Sequence, residues 1–264
     1  MRRLSNSRAG EPDAASLEGF DSTQLEGDPL EPGLDAITSL RPFGRDIPEQ
    51  RLGHPPDESA AEGDELDRAL ALAKRGRRLD AVMALRTLSR NQPEAIEPRI
   101  ALADLLAQAG DTDEAIEELT AASEVAANPA PILVRRGALY AQTGQPKEAE
   151  KDFREAMRRD ATHWPAYRYL GVTRLRLGGT GEAIAVLREA LKMAPQDPET
   201  ILYLGEAHLT QGQVEEAHEL LTRAIELDPT DPRGYTLLGR LLDRLGRTDE
   251  AMAMHRKARE VTTA

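Results

Sequence analysis

From about residue 62 onward the chain returns to the same small residues every 34 positions, and this recurrence constrains it more than any motif does. Glycine stands at 76, 110, 144, 178, 212 and 246, and five residues after each comes alanine: Ala81, Ala115, Ala149, Ala183, Ala217 and Ala251. Seven residues before the glycines lie Ala69, Ala103, Gly137, Gly171, Gly205 and Gly239, and twelve after them lie Leu88, Ala122, Ala156, Ala190, Ala224 and Ala258. Small residues at these intervals let two helices approach closely across a turn made at the intervening glycine. Proline or an Asn/Asp turn closes each unit, as in Ala194–Pro198 and Leu227–Pro232, where proline stops one helix and opens the next.

Composition agrees with helices throughout. Aromatic residues are 3% of the chain while hydrophobic residues reach 40%, so the core is built from Ala, Leu, Ile, Val and Met beside abundant Glu and Arg, the mixture that favours helix. The expected class is all-α. Cysteine is absent, which removes disulfides, thiolate metal sites and cysteine nucleophiles and fits a reducing compartment. A net charge of -12 repels a phosphate backbone, and no local basic run stands out to override it, so no nucleic-acid partner is expected. The start, Met1–Arg8, has the charge of a secretory signal but not the apolar run that must follow, and no window approaches the roughly 20 apolar residues of a membrane span. A cytoplasmic protein is expected, with no membrane contact.

With these spacings, and with copies such as "YLGEAHLTQGQVEEAHELLTRAIELDP" and "YLGVTRLRLGGTGEAIAVLREALKMAP", the chain resembles the tetratricopeptide repeat family over residues 62–264. The resemblance implies six repeats, 62–95, 96–129, 130–163, 164–197, 198–231 and 232–264. It implies antiparallel helix pairs stacked in a right-handed superhelical solenoid, whose concave face, lined by the first helix of each pair, binds a peptide or another protein.

Departures among the copies mark the ends. Glu65 and Arg68 stand in the first copy where later ones have Tyr167, Ile201, Tyr235 and Leu170, Leu204, Leu238, which reads as a polar N-terminal cap. In the last copy His255 replaces Leu85, Leu119, Phe153, Leu187 and Leu221, and Arg259 replaces Met157, Leu191 and Ile225. These positions are expected to turn polar because no repeat follows, with Met252, Met254 and Val261 left as an apolar rim that permits a weak dimer. Residues 1–61, with twelve acids against six arginines and many Pro and Gly, read as a disordered acidic tail. Within it Leu34–Phe43 is the more apolar stretch and a candidate for docking in the groove of its own chain.

Catalytic readings fail one by one. The turn Leu177–Ala183 is Gly-rich, but no Gly-Lys pair exists to make a phosphate loop. There is no Gly-x-Ser-x-Gly elbow, and His163 before Trp164 and Pro165 reads as a turn residue. The repeated "EAH" triplets bring Glu206, His208, Glu216 and His218 together like metal ligands. Yet His208 falls where Leu72, Leu106, Tyr140 and Leu242 stand, and His218 where Val82, Ile116, Ile184 and Met252 stand, so both read as packing residues. No cofactor or metal is expected.

The family's groove-directed positions then supply the candidate site. Among those positions, which also take in Glu199 and Arg233, the candidates are Arg135 in the third repeat; Arg168, Tyr169, Val172 and Arg176 in the fourth; Leu202, Tyr203 and Glu206 in the fifth; and Arg240 in the sixth. Tyrosines flanked by arginines combine apolar contact with fixed donors for carboxylates, the chemistry of a protein-binding surface. The lysine and asparagine clamp by which some members grip chaperone tails is not matched, since Leu70, Asp104, Ala138, Val172, Glu206 and Arg240 hold its ninth positions. The expected function is a non-enzymatic adaptor or scaffold, monomeric or weakly dimeric. Its rivals are a substrate-recruiting or regulatory subunit of an enzyme complex and a structural subunit that assembles through the solenoid ends.

Overall fold

The computed structural model describes residues 60–263, so the tail expected over residues 1–61, with Leu34–Phe43, lies outside the described residues but for its last two. Among the described residues there are twelve α-helices and no strand. They are α1 (Ala60–Lys74), α2 (Arg78–Asn91), α3 (Ile96–Ala109), α4 (Thr112–Val125), α5 (Ala130–Gln142) and α6 (Pro146–Arg159), then α7 (Trp164–Arg176), α8 (Thr180–Met193), α9 (Pro198–Thr210), α10 (Val214–Leu227), α11 (Pro232–Arg244) and α12 (Thr248–Thr263). Each odd-numbered helix is joined to the next by the periodic glycine.

Those glycines all hold positive φ, from 70° to 91°, the left-handed conformation that costs a side chain roughly 1–2 kcal/mol. The backbone shows why the chain goes there. At the end of α7 the Gly178 N–H donates to Leu175 O at 3.1 Å and the Gly179 N–H reaches back to Arg174 O at 2.9 Å, so two carbonyls of the last turn are satisfied by one reversal. A Cβ on Gly178 would meet nothing within 4 Å, so the strain of φ is the whole cost of filling it. Gly178→Ala is therefore expected to lower stability by about 1 kcal/mol, with Gly178→Asn milder, read from the urea midpoint.

Helix starts are equally local. Asp197 accepts from the Thr200 N–H at 2.8 Å and Asp231 from the Arg233 N–H at 3.0 Å, capping α9 and α11, each of which begins on a proline whose missing donor costs nothing there.

The glycine two turns before each of the last four turns does a different job. A Cβ on Gly137 would lie 2.6 Å from Phe153, one on Gly171 2.6 Å from Leu187, and one on Gly205 3.0 Å from Leu221. The large residue of the second helix thus lies directly on the backbone of the first. The alanines five residues after the turn are all fully buried in the same seams. His255 lies 2.6 Å from the Cβ position of Gly239 in the same way, with Nε2 2.9 Å from an Asp243 carboxylate oxygen. Like its counterparts it packs within its own helix pair, but its side chain stays 35% exposed where Leu85, Leu119, Phe153, Leu187 and Leu221 are at most 1% exposed. Arg259 is exposed, as are Glu65 and Arg68 at the other end.

Burial runs as a ribbon of linked clusters along the array instead of one central core. Every helix packs on its neighbours in sequence. In addition α1 packs on α3, α5 on α7, α7 on α9 and α9 on α11, while the even-numbered helices are not brought together in this way. One layer closer-set than the other means a curved stack, with the odd-numbered helices on the inside.

The inner face of the odd-numbered helices

On the inner face the apolar floor is made by Val134 and Ala138 of α5, Val172 of α7 and Leu202 of α9, all buried between neighbouring odd helices. Tyr169 and Tyr203 belong to this floor, exposed by only 8% and 7%. The two rings do not stack on each other. Tyr169 lies against Phe153 at 5.7 Å between ring centres, nearly parallel, and the Tyr203 hydroxyl oxygen accepts from Arg233 Nη1 at 2.8 Å under a guanidinium 5.4 Å from its ring centre. Burial pushes the Tyr203 phenol up, with the Arg233 charge opposing.

Arg168 sits deeper still, 2% exposed, with its guanidinium 5.0 Å over Tyr169 and 5.2 Å over Trp164 and ion-paired to Glu199. Glu199 in turn accepts from Arg233 Nη2 at 2.9 Å, and Asp231 holds the same guanidinium at 2.7 Å. A chain of charges therefore runs through α7, α9 and α11. Earlier in the array Arg135 Nη1 reaches both carboxylate oxygens of Asp104 at 2.9 Å, tying α5 to α3. Glu199 and Arg233 are groove-directed positions left out of the nine candidate residues, and Asp104 is read from the sequence only as a mismatch to the chaperone clamp. Their signal was present, because the acid and the base of two of these pairs stand 31 residues apart, one repeat less a helical turn.

The structure thus divides the nine residues. Arg168, Tyr169, Val172, Leu202 and Tyr203 are buried in repeat packing, and Arg135 is half-buried and held by Asp104. Arg176, Glu206 and Arg240 remain half-buried with no hydrogen bond or ion pair from their side chains among the described residues. They converge from α7, α9 and α11. Burial pushes the Glu206 carboxyl up while Arg240, Arg176 and Arg233 pull it back, and burial pushes Arg176 down against the pull of Tyr203 and Glu206. Two half-buried guanidiniums and one carboxylate on an apolar floor form a surface whose side-chain polar atoms find no hydrogen-bond partner within the fold.

Among the described residues no three His, Asp or Glu side chains converge as metal ligands. His208 is buried against Arg188, whose Nη2 is 3.5 Å from Nε2, and burial lowers its pKa, aided by Arg188 and opposed by Gln213 and Glu216. Below its ordinary value of 6.5 the unfolded chain takes up a proton that the folded chain refuses, so stability falls with pH. Burial acts in the same direction on His163 and His218. His208→Leu is expected to make the decline in melting temperature between pH 7.5 and 5.5 shallower without abolishing it, as thermal melts across a pH series will show.

Two tetratricopeptide repeat models match the chain, one over residues 66–131 and 134–198 and the other over 174–241 and 211–261. No curated protein matches it in sequence. Among solved structures, MamA is 25% identical with a TM-score of 0.52, covering 61% of this chain and 95% of that one. PilF of Pseudomonas aeruginosa is 19% identical with a TM-score of 0.64, covering 74% and 88%. YrrB, described as a TPR protein with an unusual peptide-binding site, is 22% identical with a TM-score of 0.51, covering 67% and 92%.

Proposed function

The chain belongs to the tetratricopeptide repeat family, and on that premise we propose that it is a non-enzymatic adaptor whose inner face binds a segment of another protein. The observation that carries the reading is the unsatisfied set Arg176, Glu206 and Arg240 on three consecutive inner helices. An extended segment laid across them supplies carboxylates or backbone carbonyls to the guanidiniums and an N–H to Glu206. The buried residues Tyr169, Val172, Leu202 and Tyr203 fix the shape of the floor, and Arg168 and Arg135 fix the spacing of the helices that carry the rim. The fold resemblance to YrrB, whose own site is described as peptide-binding, fits such a ligand. Among the described residues no helix is long and apolar enough to cross a membrane, in keeping with a cytoplasmic adaptor.

Selection of a random displayed peptide library on the full chain tests this. Retained peptides are expected to carry Asp or Glu beside Leu, Ile or Phe and to lose at least about tenfold in affinity for Arg176→Glu/Arg240→Glu, the equivalent of 1.4 kcal/mol or more. Equal affinity for a variant of unchanged helicity would overturn the assignment. A second reading, assembly through the solenoid end, is favoured by Met252, which stands 57% exposed on α12, and by an open hollow between α11 and α12 lined by Pro232, Thr236, His255, Ala258 and Arg259. Light scattering over a dilution series separates it from a monomer.

A further inference from the structure

We propose that the groove has a resident occupant, the acidic stretch Glu11–Asp35 of the same chain, whose carboxylates meet Arg176 and Arg240. The inference rests on the reading of the inner face as a binding groove and adds what fills it when no partner is present. Between Arg8 and Arg41 the chain carries eight carboxylates, Glu11, Asp13, Glu18, Asp21, Glu26, Asp28, Glu31 and Asp35, and not one Lys or Arg. Leu17, Phe20, Leu25, Leu30 and Leu34 alternate with them, so every acidic residue from Glu18 to Asp35 has an apolar residue within two positions. This is the chemistry the rim and floor call for: anions for two guanidiniums that have no acceptor, and apolar side chains for the surface between them.

The distance is within reach. About 25 residues separate Asp35 from the start of α1, and an extended chain spans about 3.3 Å per residue, or roughly 80 Å. From α1 to α11, which carries Arg240, there are five steps between neighbouring odd helices at about 10 Å each, or roughly 50 Å. Tethering also removes the need for strong contacts, because a linked segment is present at an effective concentration of about millimolar. Glu206, between the two arginines, opposes an acidic segment. Its neutralisation should therefore strengthen docking, whereas a residue that only held the fold would not act in that direction.

The consequence is regulation by competition. A partner must displace the segment, so its apparent affinity falls by the fraction of time the groove is free. The contact is electrostatic and should loosen with salt.

The chain itself provides the probe, since it has one tryptophan, Trp164 at the start of α7, and no cysteine. Arg176 lies twelve residues along the same helix, about 18 Å away. In the full chain carrying Ser22→Cys labelled with a naphthalenesulfonate acceptor, Trp164 emission is expected to be quenched by energy transfer independently of protein concentration. Transfer should fall at least about twofold at roughly 0.5 M salt, where screening shortens to a few Å, fall as far in Arg176→Glu/Arg240→Glu, and rise in Glu206→Gln. Transfer unchanged by the double arginine variant overturns the proposal, and so does transfer that disappears on dilution, which assigns the segment to a second copy. On the same proteins, library peptides should bind about tenfold more tightly once Glu18→Gln, Asp21→Asn, Glu26→Gln and Asp28→Asn are introduced. If peptide affinity depends on Arg176 and Arg240 while energy transfer does not, the groove stands and its resident occupant falls. If neither depends on them, the groove reading fails as well.

Discussion

Glu199→Ala is expected to destabilise the chain by about 3 kcal/mol, because it removes the acid from a buried base and leaves the base in place. Arg168 is 2% exposed and cannot turn to water. Asp197, at 3.6 Å, is a second acidic neighbour, but it already caps α9 through the Thr200 N–H. The rings of Trp164 and Tyr169 offset part of the loss but not a full charge. Arg233 suffers less, since Asp231 still holds it. The position of Arg168 is held by Val134 in the preceding repeat and by Leu202 in the following one, so an apolar side chain fits the site by precedent. Arg168→Leu/Glu199→Ala should therefore recover most of the stability, since replacing a buried pair is commonly neutral when breaking it is not. A double-mutant cycle on urea midpoints measures this. A loss below about 1 kcal/mol for Glu199→Ala alone would show that the charge is not sealed in.

The same residue shows where reading the sequence stops. Turn glycines, seam alanines and helix pairing are all visible as a period, because each depends on residues within one repeat or its copy. How deep an inner-face side chain sinks depends on how closely the next odd helix approaches, and that distance is set by packing in the seam, not by the inner residue. Arg168 reads as a surface cation since arginine is almost always exposed unless paired, and its partner lies 31 residues away. Arg176, two turns further along α7, is the same residue type and stays at the rim, because no acid faces it from α9 except the unbonded Glu206. Tyr169 and Tyr203 occupy matching positions but stand on different neighbours, Phe153 in one case and Arg233 in the other, so periodicity alone does not make them a pair. The rim of the candidate site was legible in residue type, and its division into floor and rim was not.

Phe153→Ala is expected to cost about 3–5 kcal/mol and to divide the array at its middle. Phe153 is wholly buried, presses on the backbone at Gly137 and stacks on Tyr169, so a single ring joins α5, α6 and α7. Four of the other five repeats place leucine here, and Phe153→Leu should cost only about 1–2 kcal/mol since it keeps most of the volume. The void left by alanine faces the space that glycine keeps open. Gly137→Ala/Phe153→Ala should therefore be more stable than Phe153→Ala alone, with the added methyl entering the cavity as Ala69 and Ala103 do at the equivalent places in the first two repeats. Because a solenoid is held by nearest-neighbour contacts, the weakened seam should also uncouple the halves. Trp164 reports α7 and the helices after it, whereas circular dichroism reports all twelve. In the native chain the two signals should unfold together in urea, and in Phe153→Ala they should part. Coincident transitions with an unchanged midpoint would mean that the ring is not what couples the third repeat to the fourth.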